Sequence, residues 1–441
     1  MLDAERRAGR RRAQPGGMRR AGRLRELLVS GVVDSFGMAL GWTVVVLLAT
    51  SRGGLAEAAL YNAAMLVGVV LSAPITGWLS HRMNGRTLLR SAASFEVVLR
   101  FAVLAGLVAG LPSGVVAVAV VLMHVAAWAG FAGMRAEVTA VDASPRSMTR
   151  YAVAIAGVEA GGTALAALLP TGPDGYPTGW LLGAVFVVYL GSLLPTVLTA
   201  RRARISAGRP VLAAGLAAGL AAGLGAPPEP RPRPRPRNAG RRFRHAHRAE
   251  PEGWRLPSTR LLLAGGGVML IAAGPTLLAV PITAELHGGG WVAGAAVAFS
   301  FGCLLSTSAV AFIGRLQIPA VLRWSLWGLG MLAGWILAPL FAPMVLVAQF
   351  VAGLAQTAFE GDMDARVASE AAPESVTRHL AYSASVRALG GAVAVRALPV
   401  LAASAAIGTV SSVAALILGF SSLVLWAGIT TAPHIFRRLA H

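Results

Sequence analysis

GMRAEVTAVDASPRSMTRYAVAIAGVEAGG runs from Gly133 to Gly162, and GDMDARVASEAAPESVTRHLAYSASVRALGG runs from Gly361 to Gly391. Set 228 positions apart, Gly133, Ala143, Pro145, Ser147, Thr149, Arg150, Val158, Ala160 and Gly162 meet Gly361, Ala371, Pro373, Ser375, Thr377, Arg378, Val386, Ala388 and Gly390. Each copy joins two apolar runs through a short polar turn. The chain therefore reads as a doubled unit, and its fold follows from what that unit is made of.

The unit is apolar. The 441 residues are 56% hydrophobic and only 13% charged, with a mean hydropathy of +0.66. That leaves too little polar surface for a soluble protein of this size. Runs of about 20 apolar residues recur, each able to cross a hydrocarbon core of roughly 30 Å as a helix. The shorter alternating segments of a closed β-barrel are not seen. The expected fold is all-α: a polytopic membrane protein with twelve transmembrane helices in two pseudo-symmetric six-helix bundles. The spans are placed near 26–50, 56–80, 88–110, 113–137, 150–170, 178–200, 258–284, 291–314, 322–340, 342–363, 378–403 and 408–431. Turn chemistry separates them at SRGG (51–54), LPSG (111–114), TGPDGYP (171–177) and HGGG (287–290).

Charge sets the orientation. The net charge is +20, and all 39 basic residues are arginine. With a cytoplasmic N-terminus, the inner segments hold the N-terminal arginines, Arg82, Arg86, Arg90, Arg146, Arg150, the 201–260 segment, Arg315, Arg323, Arg366, Arg378, Arg437 and Arg438. The outer loops then hold only Arg52. This predicts a cell-membrane protein with both termini cytoplasmic. The basic runs read as contacts with anionic inner-leaflet lipid, not with nucleic acid. The domains expected are a disordered basic tail (1–25), an N-terminal bundle (26–200), an Arg/Pro-rich cytoplasmic linker (201–257), a C-terminal bundle (258–431) and a short cytoplasmic tail (432–441). Alternating Pro and Arg within the linker cannot build a packed core. Cys303 is the single cysteine, so no intrachain disulfide can form.

After the second span comes GWLSHRMNGRTLLR, Gly77 to Arg90. Its glycines allow a tight turn between helices, and its arginines hold the turn at the inner surface. The stretch resembles the signature loop of the major facilitator superfamily, with Gly77, Leu79, Arg82, Gly85 and Arg86 matching and His81 standing where the family has an aspartate. The resemblance implies a cytoplasmic gate loop formed by Gly77, His81, Arg82, Gly85, Arg86 and Arg90. It also implies two halves that rock about a central cavity lined by spans one, four, seven and ten. A duplicated six-span unit is the architecture of many secondary transporters.

Ionisable groups inside the spans are costly and therefore informative. Asp34 in span one has no basic neighbour within one helical turn, and reads as a proton carrier or an attractor of cationic substrate, or else as a carboxyl hydrogen-bonded to a neighbouring helix or wetted near the inner surface. Glu96 and Arg100 share a helix face four residues apart and read as a structural pair. Glu159 and Arg387 occupy equivalent repeat positions with opposite charge. They read as cavity walls of unlike sign, as a bridge made in one conformation, or as groups paired separately within each half. His124, Gln349 and Gln356 complete the polar groups expected in the cavity. Arg135, Glu137, Glu360, Asp362, Asp364 and Arg366 form a cytoplasmic rim expected to make contacts between the halves.

The sequence has no Walker A loop, no HExxH, no Cys/His cluster and no Gly-x-Ser-x-Gly elbow. No enzyme activity, cofactor or metal is expected. The expected function is secondary active transport by alternating access: proton-coupled efflux, as an antiporter, of a small amphipathic compound. The alternatives are uptake of a small metabolite, and a non-transporting scaffold or sensor whose basic segment recruits a partner.

Overall fold

The computed structural model describes residues 15–142, 145–170, 177, 179–203, 258–370 and 376–439. The linker from 204 to 257 lies outside the described residues. The described helices are α1 Pro15–Arg82, α2 Gly85–Val108, α3 Ser113–Val141, α4 Pro145–Leu168, α5 Trp180–Gly191, α6 Leu194–Ala200, α7 Thr259–Leu277, α8 Ala279–His287, α9 Gly289–Arg315, α10 Ala320–Leu337, α11 Met344–Glu370, α12 Val376–Ala402 and α13 Ile407–Leu439.

These helices make twelve crossings. α1 holds spans one and two, broken at Gly53 and Gly54; Gly54 has φ 62° and ψ −160°, a conformation that only glycine adopts freely. Spans six and seven are each built from two pieces, α5 with α6 and α7 with α8. The second break follows Pro275, which has no N–H to continue the helix ladder. Ten described segments are long and apolar enough to cross a membrane, one of them the double crossing of α1, while the apolar part of α4 is shorter. The chain is a multi-pass helical membrane protein.

The duplication read from sequence recurs in the packing. A Cβ on Gly162 of α4 would lie 2.7 Å from the Phe36 carbonyl and 3.0 Å from the Leu40 nitrogen of α1. A Cβ on Gly390 of α12 would strike the Gly266 carbonyl and lie 3.2 Å from the Leu270 nitrogen of α7. Span five thus sits on span one as span eleven sits on span seven. Small residues let these backbones touch where lipid offers no hydrophobic drive for association.

The halves meet where the second arm of α1 packs on α12 and where α4 packs on α9. At the end of the bundle that carries Gly54, an apolar plug joins Leu55, Ala59, Ala63 and Leu66 to Leu278, Ile282, Val395 and Leu398. Glu285 of α8 closes the same end by accepting the Leu55 backbone N–H. At the opposite, arginine-rich end, α3 and α11 form no comparable pairing among the described residues.

A polar staple holds the Gly54 end of the N-terminal half. Arg52 donates to the carbonyl of Leu107 in the last turn of α2 and to that of Leu111 in the turn that follows, and its Nε lies 3.2 Å from Glu57. Glu57 is buried and also accepts from Tyr61 at 2.5 Å and Ser113 at 3.1 Å. Arg52→Ala leaves that carboxylate short of its countercharge and is expected to cost about 2 kcal/mol. Thermal unfolding in detergent, against the more exposed Arg366→Ala, would read this loss.

Two boundaries differ from the sequence reading. Residues 15–25 are not part of a disordered tail but the first turns of α1. Arg23 there is buried and bonds the Thr199 carbonyl at 3.1 Å, while Leu27 packs against Ala200. Likewise 432–439 continue α13 as helix. Apolar contact in the first case, and an uninterrupted helix ladder in the second, extend order beyond the strictly hydrophobic window.

Candidate functional site

The first arm of α1 with α2, α3 and α4 lines a cavity of about 330 Å³. Asp34, Met38 and Trp42 recur every four residues along one face of α1 and point into it. His124 and Trp128 do the same on α3, followed by Phe131. A second chamber of about 330 Å³ lies at the seam of the halves, between α4, α7, α8, α9 and α11. Glu159 and Thr163 of α4 line both chambers, so a carboxylate stands at their junction.

Arg100 organises the first chamber. Its guanidinium donates to Glu96 through Nε at 2.9 Å and again through Nη2, to Asp34 at 2.8 Å, to the Tyr189 carbonyl at 2.7 Å and to Ser192 Oγ at 2.9 Å. Every face of the fork is occupied, as a buried guanidinium requires. Glu96 and Arg100 are almost wholly buried, whereas the Asp34 side chain keeps 25% of its surface open to the cavity. Asp34 is therefore not the lone acid that its helix neighbours suggested. Two carboxylates share one cation, and the wet one is Asp34.

His124 is buried; its Nδ1 lies 3.0 Å from the Val120 carbonyl, and its ring meets Trp42 edge-on at 4.7 Å between centroids. Ser35 stands within hydrogen-bonding reach of Glu159, and Arg135 is the nearest cation to that carboxylate. Arg135 itself lies over the Phe131 ring at 4.0 Å. Three acids, Asp34, Glu96 and Glu159, and two bases, Arg100 and Arg135, thus gather beside an aromatic wall.

In the C-terminal half, Arg387 bonds Asp364 at 2.7 Å and the Glu360 carbonyl at 3.3 Å. Arg387 therefore pairs within its own half, while Glu159 lies beside Ser35 and Arg135 and lines both chambers. Gln356 donates to Glu360 at 3.2 Å. Gln349 is buried at the wall of the second chamber, and its Nε2 has no hydrogen-bond partner.

The rim ion pairs among the described residues each lie within one half. Arg323 grips Asp362 with two bonds of 2.5 and 2.6 Å, Arg366 pairs with Glu370 at 2.8 Å, and Glu137 lies 3.9 Å from Arg23. Each of these pairs, like Arg387 with Asp364, joins residues of one half. In the gate loop, Gly77 and Gly85 flank the turn, Asn84 caps α2 by accepting the Thr87 N–H at 2.8 Å, and Arg82 stacks on Trp78 at 4.1 Å. Arg86 is exposed and Arg90 is half-buried. The His81 side chain lies outside the described ones.

Sequence reasoning missed Ser35, Trp42, Trp128 and Phe131. Their signal was available for the tryptophans, since Trp42 lies two turns beyond Asp34 and Trp128 one turn beyond His124.

Two sets of six crossings, with a charged, aromatic cavity inside the N-terminal one and a second chamber at the seam, define a polytopic helical membrane protein. The solved structures it resembles place it more closely. It matches the xylose transporter XylE from E. coli in an inward-open conformation with a TM-score of 0.59 and 11% identity, covering 91% of this chain and 94% of that one. It matches the nucleoside transporter NupG with a TM-score of 0.60 and 11% identity, over 91% and 99%. A bacterial homologue of the iron transporter ferroportin, in an outward-facing state, matches with a TM-score of 0.52 and 16% identity, over 92% and 99%. No family model and no curated protein matches the sequence. The chain shares the fold of these transporters.

Proposed function

We propose that this protein is a secondary transporter that works by alternating access and couples the export of a small amphipathic compound to proton entry. The observation that carries the reading is a cavity in the N-terminal half that meets, at Glu159, a chamber at the seam of the halves: in it the accessible carboxylate Asp34 shares Arg100 with the buried carboxylate Glu96, and an apolar plug joins the halves at the Gly54 end. A proton taken up by Asp34 neutralises the excess charge on that guanidinium without exposing Glu96. Trp42, Trp128, Phe131 and Met38 supply the apolar surface for the substrate. The positive-inside rule makes the arginine-rich end cytoplasmic, so this conformation faces inward. The termini are then cytoplasmic and the basic loops meet anionic lipid. Likeness to transporters over nine-tenths of the chain supports carriage over scaffolding.

A proton crossing about 100 mV releases roughly 2.3 kcal/mol, equivalent to a substrate gradient of roughly fiftyfold. Asp34→Asn should collapse gradient-driven accumulation of a fluorescent amphiphile in proteoliposomes to near unity, with expression and folding intact. Accumulation that still follows the pH gradient in this variant would remove Asp34 from the mechanism.

A further inference from the structure

We infer that a groove between α2 and α6 holds the phosphate of one anionic phospholipid, whose acyl chains lie along the outer wall of the bundle. This site is separate from both chambers, and more definite than the general attraction of basic loops for lipid. The groove, of about 430 Å³, is lined by Arg86, Thr87, Arg90, Ser91 and Ser94 of α2 and by Val197 of α6. Arg86 and Arg90 stand one helical turn apart, so their side chains leave the helix about 6 Å from each other on one face. Arg86 is exposed and Arg90 half-buried, and among the described residues neither has a hydrogen bond or an ion pair. Other arginines at this end are taken: Arg23 and Arg202 by Glu26, Arg323 by Asp362 and Arg366 by Glu370. Two free guanidinium forks in one groove suit the oxygens of a phosphate.

The surroundings favour a lipid over a free phosphate. Val98 and Phe101 follow Ser94 on α2 by four and seven positions, which keeps them on the face of the groove, and both are exposed. Arg100 bonds the Tyr189 carbonyl and Ser192, so α2 and the span of α5 and α6 run side by side in opposite directions. Leu194 and Leu198, next to Val197, are exposed on that neighbour. The polar groove thus continues into an apolar strip. From Arg86 to Phe101 the face extends about 22 Å, more than one leaflet's share of a hydrocarbon core of roughly 30 Å. The headgroup is further specified by charge. No carboxylate stands among the lining residues, so the ammonium of a zwitterionic headgroup has no counterpart there. The hydroxyls of Thr87 and Ser94 can instead bond the glycerol hydroxyls of phosphatidylglycerol, whereas that of Ser91 already donates to the Leu88 carbonyl at 3.1 Å.

Native mass spectrometry of the full chain, released from detergent and titrated with dioleoylphosphatidylglycerol or dioleoylphosphatidylethanolamine, tests the assignment by counting bound lipids. The wild type should bind a first phosphatidylglycerol about tenfold more tightly than phosphatidylethanolamine. Arg86→Gln combined with Arg90→Gln should weaken that binding about thirtyfold. Arg11→Gln combined with Arg12→Gln removes the same charge from the N-terminal run and should change it by less than about twofold. Thermal unfolding in detergent without added lipid should be alike for the wild type and both double variants, which separates loss of the site from loss of the fold. Glycerol phosphate in large excess should leave the lipid bound. Equal weakening by the two double variants would reduce the effect to diffuse charge and overturn the site. Displacement by glycerol phosphate would give the groove to soluble phosphates and overturn the lipid assignment, as would equal affinity for the two lipids.

Discussion

Replacing Arg100 with leucine should unfold the protein more readily than any other single change within the N-terminal half. The substitution removes the cation from between Glu96 and Asp34 and also strands the Tyr189 carbonyl and Ser192 hydroxyl. Breaking a buried ion pair from one side costs about 3–5 kcal/mol, since the surviving charge remains in an apolar setting. Glu96→Gln in the same chain should restore much of the loss, because it takes away the deeper of the two orphaned carboxylates. Thermal unfolding in detergent reads both results. If the double variant is no more stable than Arg100→Leu alone, the stabilising role lies in packing around the arginine stem.

The second large effect concerns backbone contact in the C-terminal half. A Cβ on Gly302 of α9 would collide with the Phe350 carbonyl and lie 2.7 Å from the Leu354 nitrogen of α11. A Cβ on Gly353 of α11 would collide with the Phe299 carbonyl of α9. The two helices touch through reciprocal glycines, so either side chain must push them apart. Gly302→Val and Gly353→Val are each expected to cost about 3 kcal/mol, the upper range for overpacking. The double variant should cost less than the sum, since one separation relieves both clashes. Gly183→Val, where nothing lies within 4 Å of the added carbon, should be nearly silent by comparison. Expression and thermal stability of the four variants decide the matter.

The crossings were legible because burial in lipid demands about 20 apolar residues whatever the neighbours do. The doubling was legible because Gly162 and Gly390 must both stay small where a helix backbone passes close to each. The Glu96–Arg100 pair was legible because a helix brings positions four apart together. What failed was every partnership made across helices. Arg100 reaches Asp34 from another span, Arg323 reaches Asp362, and Arg387 reaches Asp364, and no spacing in the chain encodes those meetings. The tail at 15–25 reads as disordered because charge density hides the contacts that Arg23 and Leu24 make.

The central claim is that the halves move against each other around the cavity, opening one end as the other closes. Pulsed electron paramagnetic resonance distances test it, with spin labels at Leu111→Cys and Leu340→Cys for the Gly54 end and at Arg86→Cys and Leu316→Cys for the arginine-rich end, in a Cys303→Ser background. All four label positions are exposed. Between about pH 8 and about pH 5 in lipid nanodiscs, the two distances should change in opposite senses, one population growing at the expense of the other. Distances that stay fixed, or that lengthen together, would contradict alternating access.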